Sequence, residues 1–394
     1  MATQVNKVQI VKNSGVLHTT HRSIILYNTS AFADTANIMS MTSEIRLERI
    51  QSSKLPDLDM DNLSFGHVFS DHMFSMDYKD GKWNNPVIQP YADISISPAT
   101  AVLHYSQTIF EGMKAYKTSK GEVLMFRPEE NAKRFNESAR RMCMPEIDIN
   151  VFTGAIKSLL EVDKEWVPSK KGSSLYIRPL MIATDPYIGI RPSLTCKFII
   201  MTCPVADYYA ESLKVKIEME YSRATLGGTG NVKAGGNYAG AIYPALLAQK
   251  AGYDQIIWTD AKEHKYIEEV STMNIIFKIG DTIITPASSS TILPGITRRS
   301  VMEIARDWGY KAEERKISIE EIISALENGT LLEAFGAGTA VTIAPIKLIH
   351  FQGKDYELPA ATEDTFMHKV NNELDAIRYG NKEDKYNWMV SLNV

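Results

Sequence analysis

The chain has 394 residues, 44% hydrophobic and 23% charged, which excludes disordered and collagen-like classes and suffices for two domains with sizeable cores. Lys and Arg total 43 against 47 Asp and Glu, a net charge of −4, so no global basic field exists to hold nucleic acid or an anionic membrane surface. No apolar run approaches the roughly 18 residues that span a bilayer. The three cysteines, Cys143, Cys196 and Cys203, show no CxxC or Cys/His spacing, so no metal site is expected and a reducing compartment fits best.

Up to residue 40 the chain carries Lys7, Lys12 and Arg22 against the single acid Asp34 and lacks the apolar core of a secretory signal. It reads as an N-terminal extension over 1–45, either disordered or a mitochondrial transit peptide. Strands are expected over 68–76, 92–96 and 123–126, with turns at Asp80-Gly81 and Lys120-Gly121. Over 128–142, Ala132, Phe135, Ala139 and Met142 recur at helical spacing behind Pro128, with Arg134 beside the apolar stripe. A second helix over 151–165 precedes strands over 174–182 and 197–202, and the segment 204–212 is polar and irregular. The expected organisation is therefore a small α+β domain over 46–204, a linker over 205–212 and a large domain over 213–394. In the latter, 213–219 alternates as a strand, 227–236 is a glycine-rich loop and 238–250 is helical. Strands follow over 255–258, 266–270 and 275–279, then a Gly280-Asp281 hairpin turn and a helix over 298–308 stopped by Gly309. Strands and helices mix without a βαβ rhythm, so the fold class is α+β rather than a doubly wound sheet.

Chemistry concentrates in a few segments. Lys233 is the only charged residue between Arg223 and Lys250 and is bracketed by Gly227, Gly228, Gly230, Gly235 and Gly236. Glycines allow positive φ and close backbone approach, and a lysine among uncharged neighbours is desolvated, which favours the free, nucleophilic amine. Such a lysine can form a Schiff base; a phosphate-cradling loop or a plain loop lysine are the alternatives, and the Walker pattern fails because Val232 and Ala234 flank it. In LPGITRR (293–299) a Pro-Gly turn runs into a helix whose first N–H groups, at Ile296 and Thr297, together with the Thr297 hydroxyl would hold an anion, unless it is an ordinary capped helix. FGAGTAV (335–341) offers further N–H groups and Thr339, or is simply a tight strand turn. Glu269 closes a β-like run, and Arg178 interrupts an apolar strand on the same face as Tyr176; charged groups so placed need a partner or a ligand. The histidines His67, His72 and His104 read as structural or as supports behind a site residue.

Together these segments resemble a branched-chain amino acid aminotransferase, of fold type IV among pyridoxal-phosphate enzymes. The residues carrying the likeness are FGHVFSDHMF (65–74), HYSQTIFEGMKAY (104–116), RPEENAKRF (127–135), LYIRP (175–179), GGTGNVKAGGNYAG (227–240), EEVSTMNIIF (268–277), LPGITRR and FGAGTA, in order, from about residue 63 onward. The resemblance implies that Lys233 binds pyridoxal 5′-phosphate as a Schiff base and shuttles the proton between Cα and C4′. It implies that Glu269 pairs with the pyridine nitrogen, that Tyr238 lies beside the cofactor's O3′, that Arg223 and Thr272 line the cofactor, and that Arg134, Ile296, Thr297 and Thr339 hold the phosphate.

For substrates it implies Tyr176 and the backbone of Thr339 and Ala340 on the α-carboxylate, with Arg178 orienting this cluster or meeting glutamate's second carboxylate. Phe65, Tyr105, Phe110 and Tyr208 would form an aromatic wall, where burying a branched side chain is favourable by roughly 1.5 to 3 kcal/mol. The implied reaction is a ping-pong transamination moving the amino group of L-leucine, L-isoleucine or L-valine to 2-oxoglutarate, by a cytoplasmic homodimer. The partners are then amino acids and 2-oxo acids rather than nucleic acid or membrane. Where some animal members carry Cys-x-x-Cys after the GTA turn, this chain has Ala340, Val341, Thr342 and Ile343, so thiol control of that kind is not expected. The competing readings are a D-amino acid aminotransferase or aminodeoxychorismate lyase of the same fold, or a non-catalytic phosphate-binding module.

Overall fold

The computed structural model describes residues 44–60, 65–206 and 211–392. Residues 1–43, most of the expected extension, and Tyr208 lie outside the described residues. The strands are β1 (Arg46–Leu47), β2 (His72–Lys79), β3 (Lys82–Pro90), β4 (Thr108–Phe110), β5 (Met113–Lys117), β6 (Val123–Phe126), β7 (Ser174–Ala183), β8 (Cys196–Val205), β9 (Leu213–Ile217), β10 (Gln255–Thr259), β11 (Ile267–Val270), β12 (Met273–Ile279), β13 (Thr282–Pro286), β14 (Lys311–Arg315), β15 (Leu331–Ala337), β16 (Ile343–Phe351), β17 (Lys354–Glu357) and β18 (Met389–Ser391). The helices are α1 (Ala101–Tyr105), α2 (Pro128–Arg141), α3 (Ile149–Val162), α4 (Gly235–Ala239), α5 (Ile242–Lys250), α6 (Ile296–Asp307), α7 (Ile319–Glu327) and α8 (Phe366–Arg378).

Two sheets organise these elements. The first runs β1-β3-β2-β8-β7-β5-β6-β18, with β4 on β7; the second runs β11-β10-β9-β16-β15-β12-β13-β14, with β17 on β16. The first thus draws on 46–205 and again on 389–391, so the chain's last strand returns to the sheet of its first half instead of staying with 213–357. Antiparallel pairings dominate, but β1 lies parallel to β3, β9 to both β10 and β16, and β13 to β14.

Local chemistry explains most of the elements. Asp80 and Gly81 both take positive φ (54° and 78°), as a two-residue turn between β2 and β3 demands. In α2, Pro128 begins the helix, Glu129 and Glu130 sit in the first turn and Arg140 in the last, in accord with the helix dipole. Its buried face sets Phe135 against Phe152 of α3 and Phe198 of β8, at ring separations of 5.3 and 5.4 Å. The two halves share a core, in which Tyr116 and Phe126 of the first sheet pack with Phe335 and Phe366 of the second half.

Three expectations need correction. Residues 92–96 form no strand, and the strand lies instead at Lys82–Pro90. Pro204, expected in an irregular segment, is inside β8 opposite Leu175. The helix expected over 238–250 is two, α4 and α5, separated at Gly240 and Ala241. Among the described residues no helix is long and apolar enough to cross a membrane.

Candidate active site

The glycine-rich loop is fastened to α2 and to β4 of the first sheet by its backbone. Lys233 N donates to Ser138 Oγ of α2 (3.0 Å), Phe110 N donates to Lys233 O (3.1 Å), and Ile109 bridges Ala234. Asn237 completes the loop by donating to the carbonyls of Thr229 (2.7 Å) and Val232 (2.9 Å). Of the five bracketing glycines only Gly227 takes positive φ, so the segment is a pinned turn more than a flexible one. The Lys233 ammonium is half-buried, donates to Tyr238 Oη at 2.9 Å and lies 4.9 Å above the Phe110 ring. Its sequence neighbours are uncharged, yet its spatial neighbours are not, because its charge favours the ionised forms of both Glu111 and Glu269.

Glu269 is buried on β11. Its Oε1 accepts from Leu293 N (2.7 Å) and lies 3.3 Å from Arg223 Nη2. Burial pushes its carboxyl above the ordinary range, and Arg223, the Leu293 N–H and Lys233 only partly offset this. Asn274, opposite Glu269 in the β11–β12 ladder, donates to Leu293 O (2.9 Å), so one strand pair grips both backbone groups of the residue that leads into α6. Arg223 also donates to the carbonyls of Gly230 (3.0 Å) and Thr291. The neighbouring Glu268 bonds Thr291 through one oxygen; its other oxygen and Arg223 Nε are buried without a protein partner.

The start of α6 is left open to an acceptor. Gly295 holds the N-cap and no side chain caps the helix, leaving first-turn N–H groups without intrahelical partners. A Cβ at Gly295 would overlap Asn274 Oδ1, so a capping serine or aspartate has no room. The Thr297 hydroxyl is spent on Gly338 O (3.0 Å), which ties the helix start to the turn at 338–342. Arg134 reaches the same place, with Nη1 donating to Pro294 O (3.1 Å), while its Nε and Nη2 grip both oxygens of Glu111 (2.7 and 2.8 Å).

On the first sheet, Arg178 Nη2 donates to Tyr176 Oη (3.0 Å), and its guanidinium lies 4.7 Å over Phe110. Phe65 meets Tyr176 edge-on at 5.0 Å. Lys114, opposite Tyr176 in the β5–β7 ladder, donates to Ala340 O (2.9 Å), bringing the Thr339–Ala340 turn against this wall. Tyr176 Oη lies where a Cβ of Gly112 would stand. Gly112→Ala is therefore expected to displace the Tyr176 phenol and to weaken ligand binding at this wall several-fold or more while the fold survives; a binding titration beside a melting curve checks this.

A hydrogen-bonded amine, a buried carboxyl, an uncapped helix start and a Tyr176–Arg178 pair brought together can bind a phosphorylated carbonyl compound and move protons next to it. A family model described as amino-transferase class IV matches residues 108–349. Over 356 residues the chain is 43% identical to branched-chain-amino-acid aminotransferase 2 of Bacillus subtilis, covering 89% of this chain and 98% of that protein. The chain belongs to the branched-chain-amino-acid aminotransferases. Its fold is that of the solved branched-chain aminotransferase of Escherichia coli, with a TM-score of 0.66 at 23% identity over 82% of this chain and 99% of that one. The T.th. branched-chain amino acid aminotransferase, solved with N-(5′-phosphopyridoxyl)-L-glutamate, gives a TM-score of 0.65 at 23% identity over 81% of this chain and 98% of that one.

Of the residues singled out in the sequence, this aminotransferase brings together Lys233, Tyr238, Glu269, Arg223, Arg134, Ile296, Thr297, Tyr176, Arg178, Phe110 and Phe65, with Thr339 and Ala340 in the turn that Lys114 holds. Tyr105 and Thr272 are exposed, and none of these contacts involves them. Glu111, Asn274, Lys114 and Glu268 were missed. Glu111 carried the same signal as Arg178, a charge inside an apolar run (IFEGM), whereas Asn274 has meaning only once the strands are paired. His72 is structural: its Nδ1 lies 2.7 Å from Asp163, and Ile50 N donates to its Nε2. Burial pushes the Cys196 thiol up to about 12, which leaves it inert.

Proposed function

We propose that this aminotransferase moves the amino group of L-leucine, L-isoleucine or L-valine to 2-oxoglutarate, using pyridoxal 5′-phosphate held through Lys233. The observation that carries the reading is Lys233 Nζ on Tyr238 Oη with the buried Glu269 carboxyl within its field. The orphaned Arg223 Nε and the uncapped α6 start fit a polar, phosphorylated ring compound. The naming of the B. subtilis relative and the glutamate adduct of the T.th. enzyme support the substrate pair.

When bound, pyridoxal phosphate supplies a carbonyl that condenses with amines and a ring that withdraws electrons from the substrate Cα. Lys233 Nζ would anchor it, and its amine is placed to take a proton from the substrate Cα and to give one back. Tyr238 Oη fixes the direction of that nitrogen. Glu269, buried and paired with Arg223, would face the ring nitrogen and favour its protonated form. Arg223 balances the charge of Glu269. Arg134 and the N–H groups of Ile296 and Thr297 bind the phosphate, with Thr339 alongside. Tyr176 and the Thr339–Ala340 backbone orient the α-carboxylate, and Arg178 orients Tyr176. Phe65, Tyr105, Phe110 and Tyr208 would form the aromatic wall of the side-chain pocket, and Thr272 would support the cofactor ring.

The same reading includes a cytoplasmic homodimer. Ile242, Tyr243, Leu246 and Leu247 make an exposed apolar row on α5, of the kind that a second copy covers. Turnover of L-leucine with 2-oxoglutarate, compared with D-alanine as donor, tests the proposal; activity on D-alanine alone would move the protein to its fold-mates.

A further inference from the structure

Arg134 and Glu111 form the most enclosed ion pair of the cleft, with side chains 6% and 0% exposed. Glu111 is itself fully held: its Oε2 accepts from Asn131 Nδ2 (2.7 Å) and Gly112 N (3.1 Å), and its backbone N–H donates to Pro179 O of β7. Burial pushes its carboxyl up, but the charges of Arg134 and Lys233 outweigh this and hold it below the ordinary range, so it is a carboxylate. That charge is misplaced for a site that binds a phosphate, because it cancels the attraction of Arg134 and repels the anion. Its place must be explained by geometry.

We propose that Glu111 is a positioning residue for cofactor binding: it clamps the Nε and Nη2 edge of Arg134 from the buried side, so that the Nη1 end is presented at the start of α6. A guanidinium has a rigid fork; fixing one edge by two charge-assisted bonds fixes the direction of the remaining donor. Nη1 is directed at Pro294 O, one residue before the Gly295 N-cap, which is where the uncapped N–H groups lie. This inference rests on the phosphate seat proposed above.

Charge and orientation predict opposite signs. If charge governed, Glu111→Gln would tighten phosphate binding. If orientation governs, the amide's N–H group faces the guanidinium, the fork loses its grip and binding weakens. The test is equilibrium titration of the full-length apoprotein with pyridoxal 5′-phosphate and with pyridoxal, for wild type, Glu111→Gln and Glu111→Asp, beside melting curves without ligand. The expected result is an affinity for pyridoxal phosphate about tenfold or more lower in Glu111→Gln, the scale of one lost charge-assisted bond, with pyridoxal affinity little changed and Glu111→Asp in between. Unchanged or tighter pyridoxal phosphate binding, or an equal loss for both ligands, overturns the proposal. Where Glu111→Gln fails to fold, the same comparison on Glu111→Asp decides it. A wild type that does not prefer the phosphorylated ligand overturns the seat itself, and this role with it.

Discussion

The Lys233→Ala protein is expected to fold, to bind pyridoxal phosphate without a covalent link and to lose turnover. Folding survives because the loop is held by groups that alanine keeps, namely the Lys233 N–H on Ser138 and its carbonyl under Phe110 N. The side chain beyond Cβ contributes one hydrogen bond, to Tyr238. The chemistry does not survive, because no other amine is described beside Tyr238 Oη. Loss of the proton transfer alone costs about 10² to 10⁴ in rate, and loss of the anchor adds to it. A kcat measurement with a melting curve checks both halves; retained turnover in a folded variant removes the central assignment.

Substitution of Glu269 has the second largest expected effect, and two variants separate its causes. Glu269→Ala leaves Leu293 N–H without its acceptor and Arg223 without its counter-charge, and breaking a buried pair in this way costs about 3 to 5 kcal/mol of stability. Glu269→Gln keeps an acceptor for Leu293 and removes only the charge. In both, the anion seat at α6 is expected to retain cofactor, while kcat falls by roughly 10² to 10³, the scale for losing one preorganised electrostatic partner. Wild-type turnover in Glu269→Gln would dissociate the carboxylate from the reaction.

Much of this was legible in the sequence because local rules and tertiary structure agree there. Asp80-Gly81, Gly280-Asp281 and the face of α2 each follow from one segment's own chemistry, and their positions match the structure. Residues 92–96 alternate like a strand but lie beyond the end of the β2–β3 ladder at His72 and Pro90, and alternation without a neighbouring edge makes no strand. Pro204 is tolerated in β8 because the β2 pairing ends at Ile200, so little ladder is lost where its N–H is missing.

The site divides along the same line. Residues that break a pattern, such as Lys233, Arg178 and Glu269, announce themselves. Asn274 and Lys114 occupy ordinary strand positions, and only the pairing of distant strands gives them a task. The uncharged sequence neighbours of Lys233 do not describe its surroundings for the same reason, since Glu111 and Glu269 arrive from other elements.

The most direct test of Lys233-centred transamination is the visible absorbance spectrum of the purified protein loaded with pyridoxal phosphate, recorded alone, after L-leucine and then after 2-oxoglutarate, with Lys233→Ala alongside. The expected result is a lysine-linked band in wild type that L-leucine converts to the amine form of the cofactor, that 2-oxoglutarate restores, and that the variant lacks. Loaded wild-type protein whose spectrum L-leucine leaves unchanged would contradict it.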